Sequence, residues 1–291
     1  MKRSDFRFLE RLRVRWAEVD MQKIVFNGHY LMYIDTAVAG YWRALALPYH
    51  ETMEALHGDL YVRKATLEYE GSARYDERLD VGVCCARLGN SSMVLSAAVF
   101  RGEQRLVHGE LVYVFADPAT QTSRPLPDTL RAVLAAYESG EGMVECRLGG
   151  WATLGADARA IRRAVFVAEQ GLPEALVEDG TDADAVQLLA VNRLGAPVAC
   201  GRVTVPGDGV AQIGRMATLP GVRSSGLGRQ MVDALLREAL ARGCREVTLQ
   251  AAVDAVPLYL RAGFVAEGPV FEEAGLPHQT MRRALAAARS L

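Results

Sequence analysis

Asp20-Met-Gln-Lys-Ile-Val-Phe-Asn-Gly-His-Tyr30 leads straight into Leu31-Met-Tyr-Ile-Asp35 and an apolar run that reaches Leu47. Within that run Leu31, Ile34, Ala37, Val38, Tyr41, Trp42 and Leu45 recur at helical spacing, with almost no charge beyond Asp35 and Arg43. The spacing predicts a helix over 30–47, buried nearly all round and ended by Pro48. In such a helix Asp35 would be a structural carboxylate in need of a partner. Before it, Phe8, Leu12, Val14 and Trp16 alternate with Arg11, Arg13 and Arg15, the period of a strand with one buried face over 8–16. After it come four strand-like runs, 61–69, 79–88, 92–101 and 105–115. The turn formers Gly71-Ser72, Gly89-Asn90 and Gly102-Glu103 separate them. One buried helix followed by an antiparallel meander implies a sheet wrapped around that helix.

A proline-rich stretch, from Asp117-Pro118 to Pro125-Leu-Pro127, precedes a short helix over 129–137. The polar, glycine-containing segment Glu138-Ser-Gly-Glu-Gly142 has no periodicity and reads as a linker, so the expected division is 1–142 and 143–291. Beyond it the order changes to helix (157–169), strands (187–193, 198–206, 211–219), helix (228–242), strand (246–251), helix (255–262) and a strand pair to Arg283. That order suits helices packed on a mixed sheet, giving an α+β chain of two domains. At 291 residues there is length enough for two cores, and half of the residues are hydrophobic. Thirty-three basic residues against 35 acidic ones give a net charge of −2, no field for drawing in nucleic acid or an anionic membrane. The charged opening and the lack of a long apolar run predict a cytoplasmic protein. Five cysteines, without a C-x-x-C pair or a histidine at ligand spacing, read as small buried side chains and predict no metal site.

Asp20 falls between the first strand and the buried helix. A carboxylate there could attack a carbonyl or activate a water, with helix N–H groups polarising the oxygen. On its own it reads more readily as a turn or capping residue. Trp16-Ala-Glu-Val-Asp20, Ile24-Val-Phe-Asn27 and Tyr30-Leu-Met-Tyr-Ile-Asp35 together resemble the 4-hydroxybenzoyl-CoA thioesterase type of the hotdog superfamily, over about 7–137. The resemblance implies a hotdog fold, an aspartate at Asp20 as the catalytic carboxylate, and assembly into a dimer or tetramer with the site between protomers. Two departures stand out: Lys23 where the family commonly has glycine, and Asn27 where some members have histidine. Asn27 can orient water or donate to the thioester oxygen but is no base. Lys23, Arg63, Lys64 and Arg74 are open to two readings, phosphate contacts or solvated charges. His29 reads as a capping or packing residue.

In the second half, Gln212-Ile-Gly-Arg-Met-Ala217 and Arg223-Ser-Ser-Gly-Leu-Gly228 run into an amphipathic helix through Met231, Leu235, Leu236 and Leu240. Gly226 and Gly228 let backbone amides form an anion nest at a helix N-terminus. It is neither a P-loop nor the Rossmann fingerprint. With Glu246-Val-Thr-Leu-Gln250 and Ala255-Val-Pro-Leu-Tyr259-Leu-Arg-Ala-Gly263-Phe264 it resembles the GNAT acyl-CoA-dependent acetyltransferases over about 146–285. The resemblance implies that the loop Arg223, Ser224, Ser225, Gly226, Leu227, Gly228 and Arg229 cradles the CoA diphosphate. It also implies that the backbone of Met216 and Ala217 bonds the pantetheine, and that Tyr259 protonates the departing thiolate. Segments 165–173, Glu178-Asp179 with Asp182, and 277–283 resemble the acceptor side of a small bacterial GNAT subgroup. Glu169, Glu272, Glu273 and His278 are candidates for the base. The expectation is a bifunctional enzyme, hydrolysing an acyl-CoA in the first half and acylating an amine in the second. CoA, acetyl-CoA or acyl-CoA would be a substrate rather than a resident cofactor. The alternative is that one half only binds acyl-CoA or dimerises the chain.

Overall fold

A computed structural model describes residues 1–285 and divides into two compact units, Met1–Met143 and Val144–Leu291. In the first, the chain runs β1 (Phe8–Arg13), α1 (Asn27–Ala44), α2 (Tyr49–Ala55), β2 (Asp59–Tyr69), β3 (Arg78–Leu88), β4 (Ser92–Arg101), β5 (Gln104–Ala116) and α3 (Asp128–Glu138). The five strands form one antiparallel sheet in the order β1-β3-β4-β5-β2, and α1 packs along β1, β3 and β4. This is the hotdog fold. Ile34, Ala37 and Tyr41 of α1 are fully buried, as are Leu79, Val81, Val83, Leu95 and Val99 on the central strands. The edge strand β2 is mostly exposed and carries Arg63 and Lys64, charges of the kind that blunt a sheet edge.

Three expectations are corrected in this unit. The first strand stops at Arg13, because Glu18 turns back to accept the Arg15 N–H (2.7 Å) and closes a 3₁₀ turn over Trp16–Glu18. Trp16 is consequently 74 % exposed rather than buried. The long helix starts at Asn27 and ends at Ala44, and Pro48 begins the unexpected α2 instead of simply ending α1. Nor is α1 buried all round: Leu31, Met32, Asp35, Thr36 and Ala39 form an exposed stripe, so Asp35 is solvated and needs no partner.

The second unit runs β6 (Val144–Gly149), α4 (Trp151–Arg162), a π-helical continuation over Arg163–Glu169, β7 (Val186–Asn192), β8 (Pro197–Thr204), β9 (Val210–Thr218), α5 (Leu227–Ala241), β10 (Glu246–Ala252), α6 (Val256–Arg261), β11 (Val265–Glu273) and β12 (Leu276–Ala284). The strands form a mixed sheet, β11-β12-β10-β9-β8-β7-β6, antiparallel except between β9 and β10. Leu227, Met231, Leu235 and Ala239 of α5 pack on one face with Ile213, Val247 and Leu249. Ala158, Ile161 and Val165 cover the other with Leu189, Val191, Cys200 and Ala217. Strand β6 was not expected, and the helix begins at Trp151, not 157, its last two turns being π rather than α. Burial pushes the thiol pKa values of Cys84 and Cys200 up to about 11, in keeping with inert packing side chains. Among the described residues no helix is long and apolar enough to cross a membrane.

Candidate functional site

In the first unit Val19 and Val25 pair as an isolated bridge, leaving residues 20–24 as a tight turn. The Asp20 N–H donates to the Ile24 carbonyl and the Lys23 N–H to the Asp20 carbonyl, both at 2.9 Å. Lys23 sits at φ +61°, a left-handed conformation that favours glycine. The turn is pinned to α1: Phe26 N–H donates to the Glu18 carbonyl (3.0 Å), and Val25 N–H to that of Ala73 (2.9 Å). Ala73 in turn donates to the Tyr30 hydroxyl (2.8 Å). Asp20 is half-buried, and its Oδ1 accepts the Gln22 N–H at 2.8 Å. Asn27 is exposed as the first residue of α1, its carbonyl accepting from the Tyr69 hydroxyl (3.2 Å). His29 packs edge-on to Phe26 and lies 3.3 Å from the Met32 sulfur.

Glu18, which the sequence reading missed, is the buried carboxylate here. It accepts hydrogen bonds from the Tyr33 hydroxyl (2.6 Å) and from the backbone and guanidinium of Arg15. Burial opposes its ionisation, but these three donors outweigh that and hold its pKa below the ordinary value. Its signal in the sequence was an acidic residue two before Asp20, indistinguishable there from a surface charge. Around the turn, Met21, Phe26 and Met32 expose large apolar side chains, and Trp16, itself exposed, packs edge-on to Tyr75 with ring centroids 5.5 Å apart.

In the second unit β9 and β10 pair only from Val210–Glu246 to Gln212–Thr248, although β9 continues to Thr218 and β10 to Ala252. The sheet therefore opens beside Met216 and Ala217, and the strand bulges there: opposite Arg202 lies Gly214, opposite Cys200 lies Ala217, and Arg215 adopts φ +53°. Next comes the loop 223–228, with Ser224 at φ +64° and Gly226 at +84°, left-handed residues of the kind from which anion-binding backbone nests are built, at the start of α5. An added Cβ on Gly226 meets nothing within 4 Å, whereas on Gly228 it would press on Leu258 at 3.2 Å. Ser225 Oγ donates to the Val222 carbonyl (2.7 Å). Arg229 is engaged away from the loop, with Asp233 and the Arg261 carbonyl. What 223–229 offers an anion is thus mainly backbone N–H.

Arg223 is itself occupied. Both its terminal nitrogens meet the Glu169 carboxylate at 2.6 Å, and its Nε donates to the Thr218 carbonyl at 3.0 Å. The hydrogen-bonded guanidinium lowers the Glu169 pKa, which disfavours Glu169 as a base. Tyr259 is buried against Phe264 (ring centroids 5.7 Å apart), and burial pushes its phenol pKa up to about 12. Glu272 and Glu273 are exposed near the β11–β12 turn. His278 is half-buried on β12 opposite Ala252, and its Nδ1 lies 2.9 Å from the Leu276 carbonyl. A carbonyl only accepts, so Nδ1 carries the proton and Nε2 of the neutral ring keeps a lone pair.

On the α4 side the structure assembles a charge ladder that the sequence did not reveal. Fully buried Arg162 bonds Asp182 (3.0 Å) and Gln187; Arg202 bridges Asp182 (2.7 Å) and Asp179 (2.7 and 2.9 Å); Arg215 reaches Asp179 at 2.8 Å. Hydrogen bonds from Arg202, Thr181 and Arg215 hold the Asp179 pKa far below the usual carboxylate range despite burial. The members lie up to 53 residues apart, so no local motif joins them.

An antiparallel sheet wrapped on a long helix, then a mixed sheet that opens beside a glycine turn, define a thioesterase-type unit followed by an acetyltransferase-type unit. Residues 22–108 match the family model described as Thioesterase superfamily, and residues 142–285 that described as Acetyltransferase (GNAT) domain. The chain belongs to the GNAT acetyltransferase family through its second half, and its first half carries a thioesterase-superfamily match. It is 31% identical over 128 residues to the Bacillus subtilis protein named "Uncharacterized N-acetyltransferase YjcF", covering 44% of this chain and 90% of that one. It is 26% identical over 125 residues to the Acyl-CoA thioester hydrolase YbgC of Escherichia coli O157:H7, covering 42% and 90%. Among solved structures, a 1,4-dihydroxy-2-naphthoyl-CoA thioesterase from Synechocystis is similar at 15% identity and a TM-score of 0.41, covering 44% of this chain and 95% of that one.

Proposed function

We propose that the chain is a bifunctional enzyme that hydrolyses an acyl-CoA in its first unit and transfers an acetyl or acyl group from CoA to an amine in its second. The opening of the sheet at Met216 and Ala217, directly before the amide-lined turn 223–228, carries this reading. A pantetheine arm can pair with the freed strand edge while the diphosphate lies on the loop and the α5 N-terminus. An amine then attacks the thioester carbonyl, and the tetrahedral adduct collapses with loss of CoA thiolate, which takes the Tyr259 hydroxyl proton. Of the four candidate bases, His278 suits removal of the ammonium proton, since its Nε2 has the lone pair. In the first unit Asp20 attacks the thioester or activates a water, Asn27 donates to the carbonyl oxygen or orients that water, and the first N–H groups of α1 stabilise the oxyanion. A second copy of the chain, in a dimer or tetramer, covers the apolar side chains around that turn.

The test is thiol release from a panel of CoA thioesters, with and without amines. Asp20→Asn keeps the size but removes the charge of the carboxylate, so amine-independent release should fall to background while amine-dependent release persists. Tyr259→Phe should do the reverse. Loss of both activities in either variant, or of neither in both, overturns the assignment.

A further inference from the structure

We propose that Arg215 anchors an anionic group, a carboxylate or a phosphate, borne by the acceptor amine. The inference rests on the acyl-transfer reading of the second unit and adds a substrate class to it. Three guanidiniums of the ladder, on Arg162, Arg202 and Arg215, share the two carboxylates of Asp179 and Asp182, which leaves one positive charge uncompensated. Such an imbalance in a desolvated cluster is unfavourable unless an anion completes it. Asp179 has little left to give Arg215, since both its oxygens serve Arg202 and Oδ1 also accepts from the backbone and hydroxyl of Thr181. Arg215 makes a single hydrogen bond to Asp179, and its Nε is buried without a partner in the protein.

Arg215 is also the member that a ligand can reach: its side chain is 26% exposed, against 0% for Arg162 and 11% for Arg202. The backbone makes a special effort to present it. A non-glycine residue at φ +53° within a strand is strained, a condition that persists where surroundings enforce it and that clusters at ligand sites. The bulge puts Arg215 immediately before Met216 and Ala217, where β9 parts from β10, so an anion held there brings the rest of its molecule to the thioester. The coenzyme diphosphate has its own amide-lined turn further along the chain, so the group at Arg215 belongs to the acceptor.

The full-length chain and its Arg215→Met and Arg215→Lys variants would be assayed with acceptors in matched pairs: amino acids against their carboxamides, and phosphoethanolamine against ethanolamine. The expected result is at least a tenfold higher kcat/KM for the anionic member of one pair, which also tells carboxylate from phosphate. Arg215→Met should abolish that preference by raising KM, and Arg215→Lys should restore part of it, because an ammonium lacks the planar fork. Acetyl-CoA affinity by calorimetry should not change, and neither should Tm fall in Arg215→Met, since removing the surplus charge leaves the ladder balanced. A parent indifferent to the anion, a preference that survives in Arg215→Met, a lowered Tm, or a tenfold loss of acetyl-CoA affinity overturns the proposal. If the parent acetylates no amine, the acyl-transfer reading fails separately. The anchor is then judged on thermal shifts with CoA present, and the absence of an Arg215-dependent shift with every anionic member overturns it.

Discussion

Tyr259 keeps its proton at neutral pH, because its phenol is buried and its pKa is raised to about 12, so the hydroxyl is there to be asked for that proton. A donor asked to act only as the thiolate leaves should affect kcat and kcat/KM together. Removing the hydroxyl in Tyr259→Phe is expected to lower the acetyltransferase kcat at least tenfold, a floor set below the roughly 10²- to 10⁴-fold range of general acid catalysis, with little change in acetyl-CoA affinity; initial rates against acetyl-CoA concentration check this. Glu18 makes a prediction about stability instead. Its carboxyl is favoured in the ionised form in the folded state, so its contribution is fully present above the ordinary pKa of 4.5 and is lost as pH falls through the lowered folded value. Thermal melts of the parent and Glu18→Gln at pH 7 should differ most, and the gap should close as the pH drops below 4.5. Equal gaps at pH 7 and pH 3 would show that the carboxylate's ionisation contributes nothing.

At the scale of elements, the turn into α5 depends on Gly226, whose φ of +84° a β-branched side chain adopts only with strain. An added Cβ has open space, so the penalty of Gly226→Val lies in the backbone torsion, about 1–3 kcal/mol, and is relieved only by reshaping the loop. We expect acetyl-CoA affinity to fall at least tenfold by calorimetry, with Asp20-dependent hydrolysis unaffected. Elements of this kind were legible in the sequence because each rests on neighbours: the 3.6-residue period of α1 and α5, the hairpin turns between β3, β4 and β5, the glycine turn itself. What was not legible depended on distant partners. Trp16 fits the alternation of a strand until Glu18 turns back on Arg15, and Asp35 falls in an apolar helix whose exposed stripe becomes visible only once the sheet covers the other side. β6 is short and mixed in character, and gains its strand identity from pairing with β7, some 40 residues further on. The ladder from Arg162 to Arg215 has the same origin, with one helix, one loop and three strands contributing to one cluster.

For the molecule as a whole, two units with separate cores imply separable folding. A chain of residues 144–291 made alone should fold cooperatively and bind acetyl-CoA with the affinity of the parent, as followed by circular dichroism and calorimetry; an unfolded fragment would show that its stability is borrowed from the first unit. The sheet of that second unit has a further property. Its four strands from β6 to β9 and its three from β10 to β12 share a seam only three residue pairs long. A seam so short is a point of low mechanical resistance, where breathing motions concentrate well below the free energy of global unfolding. A ligand threaded into the open part of the seam acts as a splint across two plates. Those amides of 213–218 and 249–252 that face the open seam, and not the ones paired with β8 or β12, should then exchange more slowly with solvent deuterium when an acyl-CoA is added, and bound ligand would hold the two plates together.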